Sequence, residues 1–117
     1  MNIGRAAVIR GDVTSSEDLR IDGRVRGRII VRGATLVLGV ESRIDADIRG
    51  TRVRIHGTVR GTVTASERIE LSPTARVTGD LSAEHVIIEE GARFNGRIDM
   101  AHRTIAAKVA QYRLQAR

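Results

Sequence analysis

The chain has 117 residues, with 20 Lys and Arg against 14 Asp and Glu, which gives a formal net charge of +6. This length suits one domain and excludes most multi-domain enzymes. Aromatic residues make up only 2% and cysteine is absent, so we expect an aliphatic core and exclude disulfides, thiolate zinc sites and cysteine nucleophiles.

A repeat of about seventeen residues organises the chain. Each repeat holds four apolar positions and one small position, and an incomplete copy precedes five full ones. The aligned columns are Leu19, Leu36, Val53, Ile69, Val86; then Ile21, Leu38, Ile55, Leu71, Ile88; then Val25, Ile44, Val59, Val77, Phe94; then the small residues Gly27, Ala46, Gly61, Gly79, Gly96; and finally Ile29, Ile48, Val63, Leu81, Ile98.

The apolar spacing of two residues within each repeat is typical of strands rather than helices. Turn signals such as Asp22-Gly23, His56-Gly57 and Ser72-Pro73-Thr74 separate the strands. Because a repeat of this length cannot hold a connecting helix, the chain must wind as coils that stack like residues on like residues. We therefore predict an all-β, single-domain parallel β-helix (a β-solenoid) of about six coils, with right-handed winding favoured by the general crossover preference.

The repeat also predicts the boundaries. Residues 1–12 form the N-terminal segment and the start of the first coil, because Ile9, Gly11 and Val13 fit the last three columns. Residues 13–100 form the β-helix. Residues 101–117 break the pattern, and their apolar positions lie on one face of a predicted basic amphipathic helix. Ile105, Val109 and Tyr112 on that face either cap the last coil or bind elsewhere.

The outward positions contain both signs of charge. The alignment places Arg54 beside Glu70 in the next coil, and two outward columns read Arg28, Asp47, Thr62, Asp80, Arg97 and Arg26, Asp45, Arg60, Thr78, Asn95. We expect stacked opposite charges, each pair worth about 0.2–1 kcal/mol. Like charges in register are expected to be largely absent, with arginines that alternate with acids rather than form a stripe.

No pattern indicates an enzyme, a metal site or a cofactor. His56 and His85 fall at different corners and His102 lies in the tail, so they are not expected to share a metal ion. The hexad spacing of left-handed β-helix acyltransferases is missing, and Ser15-Ser16 has no paired base nearby. The alternative is a basic solenoid that binds nucleic acid or another anionic partner through its Arg-rich surface and tail, although rings for base stacking are nearly absent.

The coils resemble those of the bactofilins, a family of polymer-forming bacterial cytoskeletal proteins. The resemblance covers about residues 12–100. It is carried by the opening LRIDGRVRG at residues 19–27, by the repeated small-residue turns, and by IIEEGARFNG at residues 87–96, which contains a G-A-x-F-x-G string. It implies a right-handed β-helix that polymerises end to end without nucleotide. It also implies filaments in the cytoplasm at the inner membrane face, acting as scaffolds for cell shape or protein localisation, with membrane surface or client proteins as partners besides the chain itself.

The ends of the solenoid are the predicted polymer interface, because a β-helix ends in unpaired strand edges and an uncovered aliphatic cross-section. The residues assigned to these end faces are Ile9, Val13, Leu19, Ile21, Val86, Ile88, Phe94 and Ile98. The charge distribution, +5 over residues 1–60 and −3 over residues 61–100, favours head-to-tail contact. The family resemblance implies instead that like ends meet. We favour like ends, because exposed charge is screened over about 8 Å at physiological salt.

Overall fold

The computed structural model describes the backbone of residues 2–105 and the side chains of residues 2–99. These residues are almost entirely β-strand, and neighbouring strands are parallel. The strands are β1 (Asn2–Ile3), β2 (Val8–Ser15), β3 (Leu19–Ile21), β4 (Arg24–Val31), β5 (Thr35–Leu38), β6 (Arg43–Ile55), β7 (Thr58–Leu71), β8 (Arg76–Ile88) and β9 (Arg93–Ile105).

The predicted all-β solenoid of about six coils is confirmed, and its register is the one that the repeat predicts. Ile9 pairs with Val25 in the next coil, and the same column continues through Ile44, Val59 and Val77 to Phe94. The first column, from Leu19 to Val86, is aligned in the same way. Equivalent residues of successive repeats therefore stack on one another along the rod.

Each coil has three faces, and the boundaries between them follow from the sequence. The first face carries the first two apolar columns and ends at a corner. The second face carries the third column and ends at the column of small residues, which we call the glycine bend. The third face carries the last predicted column and ends where the register shifts, for example between Gly50 and Arg52.

The corners have two lengths, and this explains why the second apolar spacing is four residues in some repeats and six in others. Asp22-Gly23 is a short corner, whereas residues 4–7 and 39–42 form longer turns closed by hydrogen bonds such as Ser42 N to Gly39 O, 3.0 Å. The two long turns flank the short one, and Arg5 Nη1 in the first reaches Glu41 Oε2 in the second at 2.9 Å.

The interior is a stack of aliphatic side chains without a ring at its centre. Ile21, Leu38, Ile55 and Leu71 are each 0% exposed. The structure adds an inward column that the sequence analysis missed. It consists of Ser15, Val31, Gly50, Ala65 and Ala83, and it closes the core at the end of the third face.

The glycine bend stacks backbone directly on backbone. Gly79 has a φ of 135°, and a Cβ built on it would overlap the carbonyl oxygen of Gly61 in the coil below. Gly11 in the first coil has nearly the same backbone conformation, with a φ of 124°, but nothing lies within 4 Å of its Cβ position. Comparison of substitutions at Gly11 and Gly79 therefore separates the cost of backbone strain from the steric cost of stacking.

We expect Gly79→Ala to lower the free energy of unfolding by about 1–3 kcal/mol more than Gly11→Ala, because only the former forces an added methyl into the coil below. Both substitutions also bear the strain of a side chain at positive φ, about 1–3 kcal/mol. Urea unfolding of the two variants beside the parent protein measures the difference. Equal losses would contradict direct stacking at Gly79.

The predicted helix over residues 101–117 is wrong for its first five residues, which continue strand β9. Thr104 pairs with His85 and Ile105 pairs with Val86. The exposed edge of β8 offers these residues a ladder of backbone hydrogen bonds, and such tertiary pairing overrides the modest helix propensity of this segment. Val109 and Tyr112 lie outside the described residues.

Candidate assembly surfaces at the ends of the solenoid

At the two ends of the rod, the residues of the apolar columns keep exposed surface. The residues of the same columns in the middle of the rod are fully buried. At the N-terminal end, Ile3, Ile9 and Val13 of the first coil are only partly buried. At the C-terminal end, Phe94 and Ile98 of the last coil are partly buried in the same columns. Interior members such as Val59 and Val63 are 0% exposed, so each end presents a section through the core.

The eight residues predicted for the end faces divide into two groups. Ile9, Val13, Phe94 and Ile98 lie in the end coils and retain exposed surface. Leu19, Ile21, Val86 and Ile88 are 0–1% exposed, and two of them lie one level further in. Ile21 is paired with Ile3 and Val86 with Ile105. These inner residues support the end faces rather than form their accessible surface in the single chain.

Ile3 was missed because the short strand that holds it has no partner repeat before it. The signal was available, since Ile3 precedes a Gly4–Ala7 turn and lies six residues before Ile9, the spacing found between the second and third columns elsewhere. The structure pairs Ile3 with Ile21. The N-terminal end face therefore consists of Ile3, Ile9 and Val13.

The strand edges at both ends add polar groups to these apolar sections. Among the described residues, β1 pairs only with β3, β2 only with β4, and β9 only with β8. Each terminal strand thus has one edge of backbone N–H and C=O groups that no described strand fills. Such edges are templates for pairing with another chain. Apolar columns and strand edges coincide at each end of the rod.

The first face shows the charge pairing that the sequence predicts. Arg54 Nε lies 2.7 Å from Glu70 Oε2 in the adjacent coil, which confirms the predicted pair. Arg20 pairs with Asp22 at 3.1 Å and Arg52 with Glu67 at 3.3 Å on the same face. Because these side chains are largely exposed, each pair contributes little, about 0.2–1 kcal/mol.

The prediction that like charges in register are largely absent is wrong on the second face. Arg24 stacks on Arg43, and Arg76 stacks on Arg93. These arginines come directly before the third apolar column, a position that the sequence analysis did not compare between repeats. The expectation that arginines alternate with acids and form no stripe therefore fails here.

The histidines and acids of the described residues do not form a metal site. No group of three or more His, Asp or Glu side chains among them is placed to hold a metal ion. His56 lies in a short corner and His85 in β8 beside Arg68, at different positions around the coil. Within the same residues, no helix is long and apolar enough to cross a bilayer.

Comparison with known proteins identifies relatives over nearly the whole solenoid. Residues 1–99 match the family model described as "Bactofilin: Polymer-forming cytoskeletal". The chain is 40% identical to bactofilin BacO of Myxococcus xanthus over 98 residues, which cover 84% of this chain and 77% of that protein. It is 41% identical to bactofilin BacN (84% and 86%) and 36% identical to BacP (84% and 40%) of the same organism. No solved structure was found to match.

Proposed function

Because this chain belongs to the bactofilin family of polymer-forming cytoskeletal proteins, we propose that it assembles end to end into filaments without a nucleotide. The filaments act as a scaffold for cell shape or for the localisation of other proteins. They lie in the cytoplasm at the inner face of the membrane, where the membrane surface and client proteins are further partners.

The observation that supports this proposal is the contrast between the middle and the ends of each apolar column. Val25 and Val59 are 0% exposed within the third column, whereas Ile9 and Phe94 at its two ends keep exposed surface. A second subunit stacked on either end would bury these residues and continue the ladder of backbone hydrogen bonds. A repeat protein whose end coils leave apolar side chains partly exposed, as Ile9 and Phe94 are among the described residues, is expected to associate in this way.

We further propose that like ends meet in the filament. A two-fold axis at each contact would then bring Phe94 of one subunit against Phe94 of the next, and Ile9 against Ile9 at the other junction. Such self-complementary contacts bury identical apolar sections against each other. The excess of positive charge toward the N-terminal end opposes this arrangement only weakly at physiological salt.

We expect electron microscopy of the purified protein, in buffer with neither nucleotide nor metal ions, to show unbranched filaments. The axial spacing between subunits should be about 30 Å, the length of six coils stacked at about 4.8 Å each. Analytical ultracentrifugation of the same sample provides the second measurement. A strictly monomeric or trimeric species at micromolar concentration would contradict the proposal.

A further inference from the structure

The outward side of the second face carries most of the unbalanced charge of the chain. Each of the six coils contributes two outward positions there, between the corner and the glycine bend. We call the seven arginines at these positions the arginine face: Arg10, Arg24, Arg26, Arg43, Arg60, Arg76 and Arg93. Asp45 is the one acid among the twelve positions. The face therefore carries +6, which equals the formal net charge of the whole chain.

These arginines are not neutralised by their neighbours. None of the seven forms an ion pair or a side-chain hydrogen bond with another described residue, whereas Arg20, Arg54 and Arg68 on the first face all pair with acids. Even Asp45, which stacks between Arg26 and Arg60, makes no such contact. The guanidinium groups of the arginine face thus have their donors available.

The stacking of like charges opposes folding. Arg24 and Arg43 occupy adjacent coils in register, as do Arg76 and Arg93, and like charges directly opposite each other are destabilising. Thr58 occupies the same column between these pairs, which shows that an uncharged residue fits the position. Because threonine is accepted in this column, the stability of the fold does not require the four arginines. Binding to a partner explains their presence better.

The outline of the arginine face indicates the shape of that partner. The face is two side chains wide, about 7 Å, and crosses six coils over about 24 Å. Its two borders contain acids: Asp22, Glu41 and Glu90 lie in the corners, and Asp12, Asp47 and Asp80 alternate with Arg28, Thr62 and Arg97 beyond the glycine bend. A flat anionic membrane would meet these acids as well, whereas a narrow ridge of phosphates would contact mainly the arginine face.

We propose that the arginine face binds the phosphate backbone of double-stranded nucleic acid without reading its sequence. Guanidinium groups suit phosphate because their paired N–H donors match two oxygens at once. Arg10, Arg24, Arg26, Arg43 and Arg60 also line a shallow depression of about 550 Å³, in which Asp45 is the one acid. The excess of four positive charges in this lining suits phosphate groups. No aromatic side chain lies on the face, so stacking on single-stranded bases is not its mode of binding. Binding of nucleic acid is a further activity, distinct from the proposed assembly. Along an assembled filament, the arginine face would form a continuous stripe.

The test compares two quadruple variants that each lower the net charge by the same amount. The first changes Arg24, Arg43, Arg76 and Arg93 of the arginine face to Thr, the residue already present in that column. The matched control changes Arg20, Arg52, Arg54 and Arg68 of the first face to Thr. Fluorescence anisotropy with a 30-base-pair duplex DNA, from 50 to 200 mM salt, measures the affinity of each full-length protein.

We expect the parent protein to bind the duplex with a steep salt dependence, and the control to bind nearly as well. The face variant should lose about 100-fold or more in affinity at 100 mM salt, and its slope of log K against log salt should fall by about 3 to 4, because each lost phosphate contact removes about 0.9. Its melting temperature should not fall, since the substitutions remove repulsion between stacked arginines.

Three results would overturn the proposal. They are failure of the parent protein to bind DNA at 50 mM salt, an equal loss of affinity in the two quadruple variants, and binding of the parent to phosphatidylglycerol vesicles but not to the duplex. The last result would assign the face to a membrane. Electron microscopy of the face variant separates this proposal from assembly, because Arg24→Thr and its companions leave both end faces unchanged and should leave filaments intact.

Discussion

A protein that carries Phe94→Arg is expected to fold and stay soluble but to form no filaments. Among the side chains that the structure describes, Phe94 is the only ring in an inward column, and it lies partly buried in the last coil. In the single chain an arginine at this end can extend its guanidinium into water. Between two stacked ends the same charge would be trapped unpaired against apolar side chains, at a cost of several kcal/mol.

The expected loss is large because aromatic anchors dominate contacts of this kind. Truncation of such an anchor typically costs 2 kcal/mol or more, which alone would raise the critical concentration for assembly about 30-fold. A buried charge adds to this cost. Sedimentation and electron microscopy should therefore find no filaments at concentrations where the parent protein is fully assembled, while circular dichroism reports an unchanged β-sheet signal.

Two variants control for this experiment. Asn95→Arg introduces the same charge one residue along the same strand, but at an outward position that stacks on Thr78, so filaments should persist. Phe94→Leu keeps the position apolar and should weaken assembly without abolishing it. Filaments of normal length from Phe94→Arg would remove Phe94 from the interface. Loss of folding would show instead that the ring fills the last coil of the core.

We expect Ile55→Asp to unfold the domain. Ile55 is 0% exposed and stacks between Leu38 and Leu71 in the middle of the rod. The carboxylate would have no partner in this aliphatic column and could not reach water, which costs about 5 kcal/mol or more. Since small domains are stable by only about 5–15 kcal/mol, circular dichroism at 25 °C should report loss of most of the β-structure.

Thr78→Asp is the matched control for this substitution. It introduces the same side chain at an exposed, outward position beside the buried Val77, in register with Arg60 of the adjacent coil. The new carboxylate should leave the melting temperature unchanged or raise it slightly through this neighbour. A melting temperature for Ile55→Asp close to that of the parent would mean that Ile55 does not face the core.

The sequence was sufficient to predict the stack of coils because parallel, in-register pairing places equivalent residues on one another. The column from Val25 to Phe94 can be read directly from the printed repeats, and the structure keeps it intact. Corners of two lengths did not obscure this pattern, since they lie between the second and third columns and leave each column aligned. The ends of the third column, at Ile9 and Phe94, could therefore be located from the sequence, whereas the N-terminal end of the second column, at Ile3, was missed.

Features without a strong hydrophobic signal were missed. The inward column that contains Ala65 and Ala83 is made of small residues, so alternation in apolar character is weak there. The arginine face was missed because Arg24, Arg43 and Arg76 lie directly before the third column, whereas the charges of this face were compared only at positions after it. The predicted helix shows the opposite error over residues 101–105, since local propensity indicated a helix where pairing with the edge of β8 produces a strand.

Long and short corners alternate over the first four coils, at residues 4–7, 22–23, 39–42 and 56–57. Removal of two successive coils from this part of the rod therefore still stacks a short corner on a long one where the remaining coils meet. Deletion of residues 19–52 would place Ile55 on Ile3, in the position of Ile21, and would set the short corner at Gly57 against the long turn of residues 4–7. Both end faces would keep their residues, while the rod would shorten by two coils, about 10 Å. In the proposed filament, the number of coils would therefore set the distance between successive junctions without altering the junctions themselves.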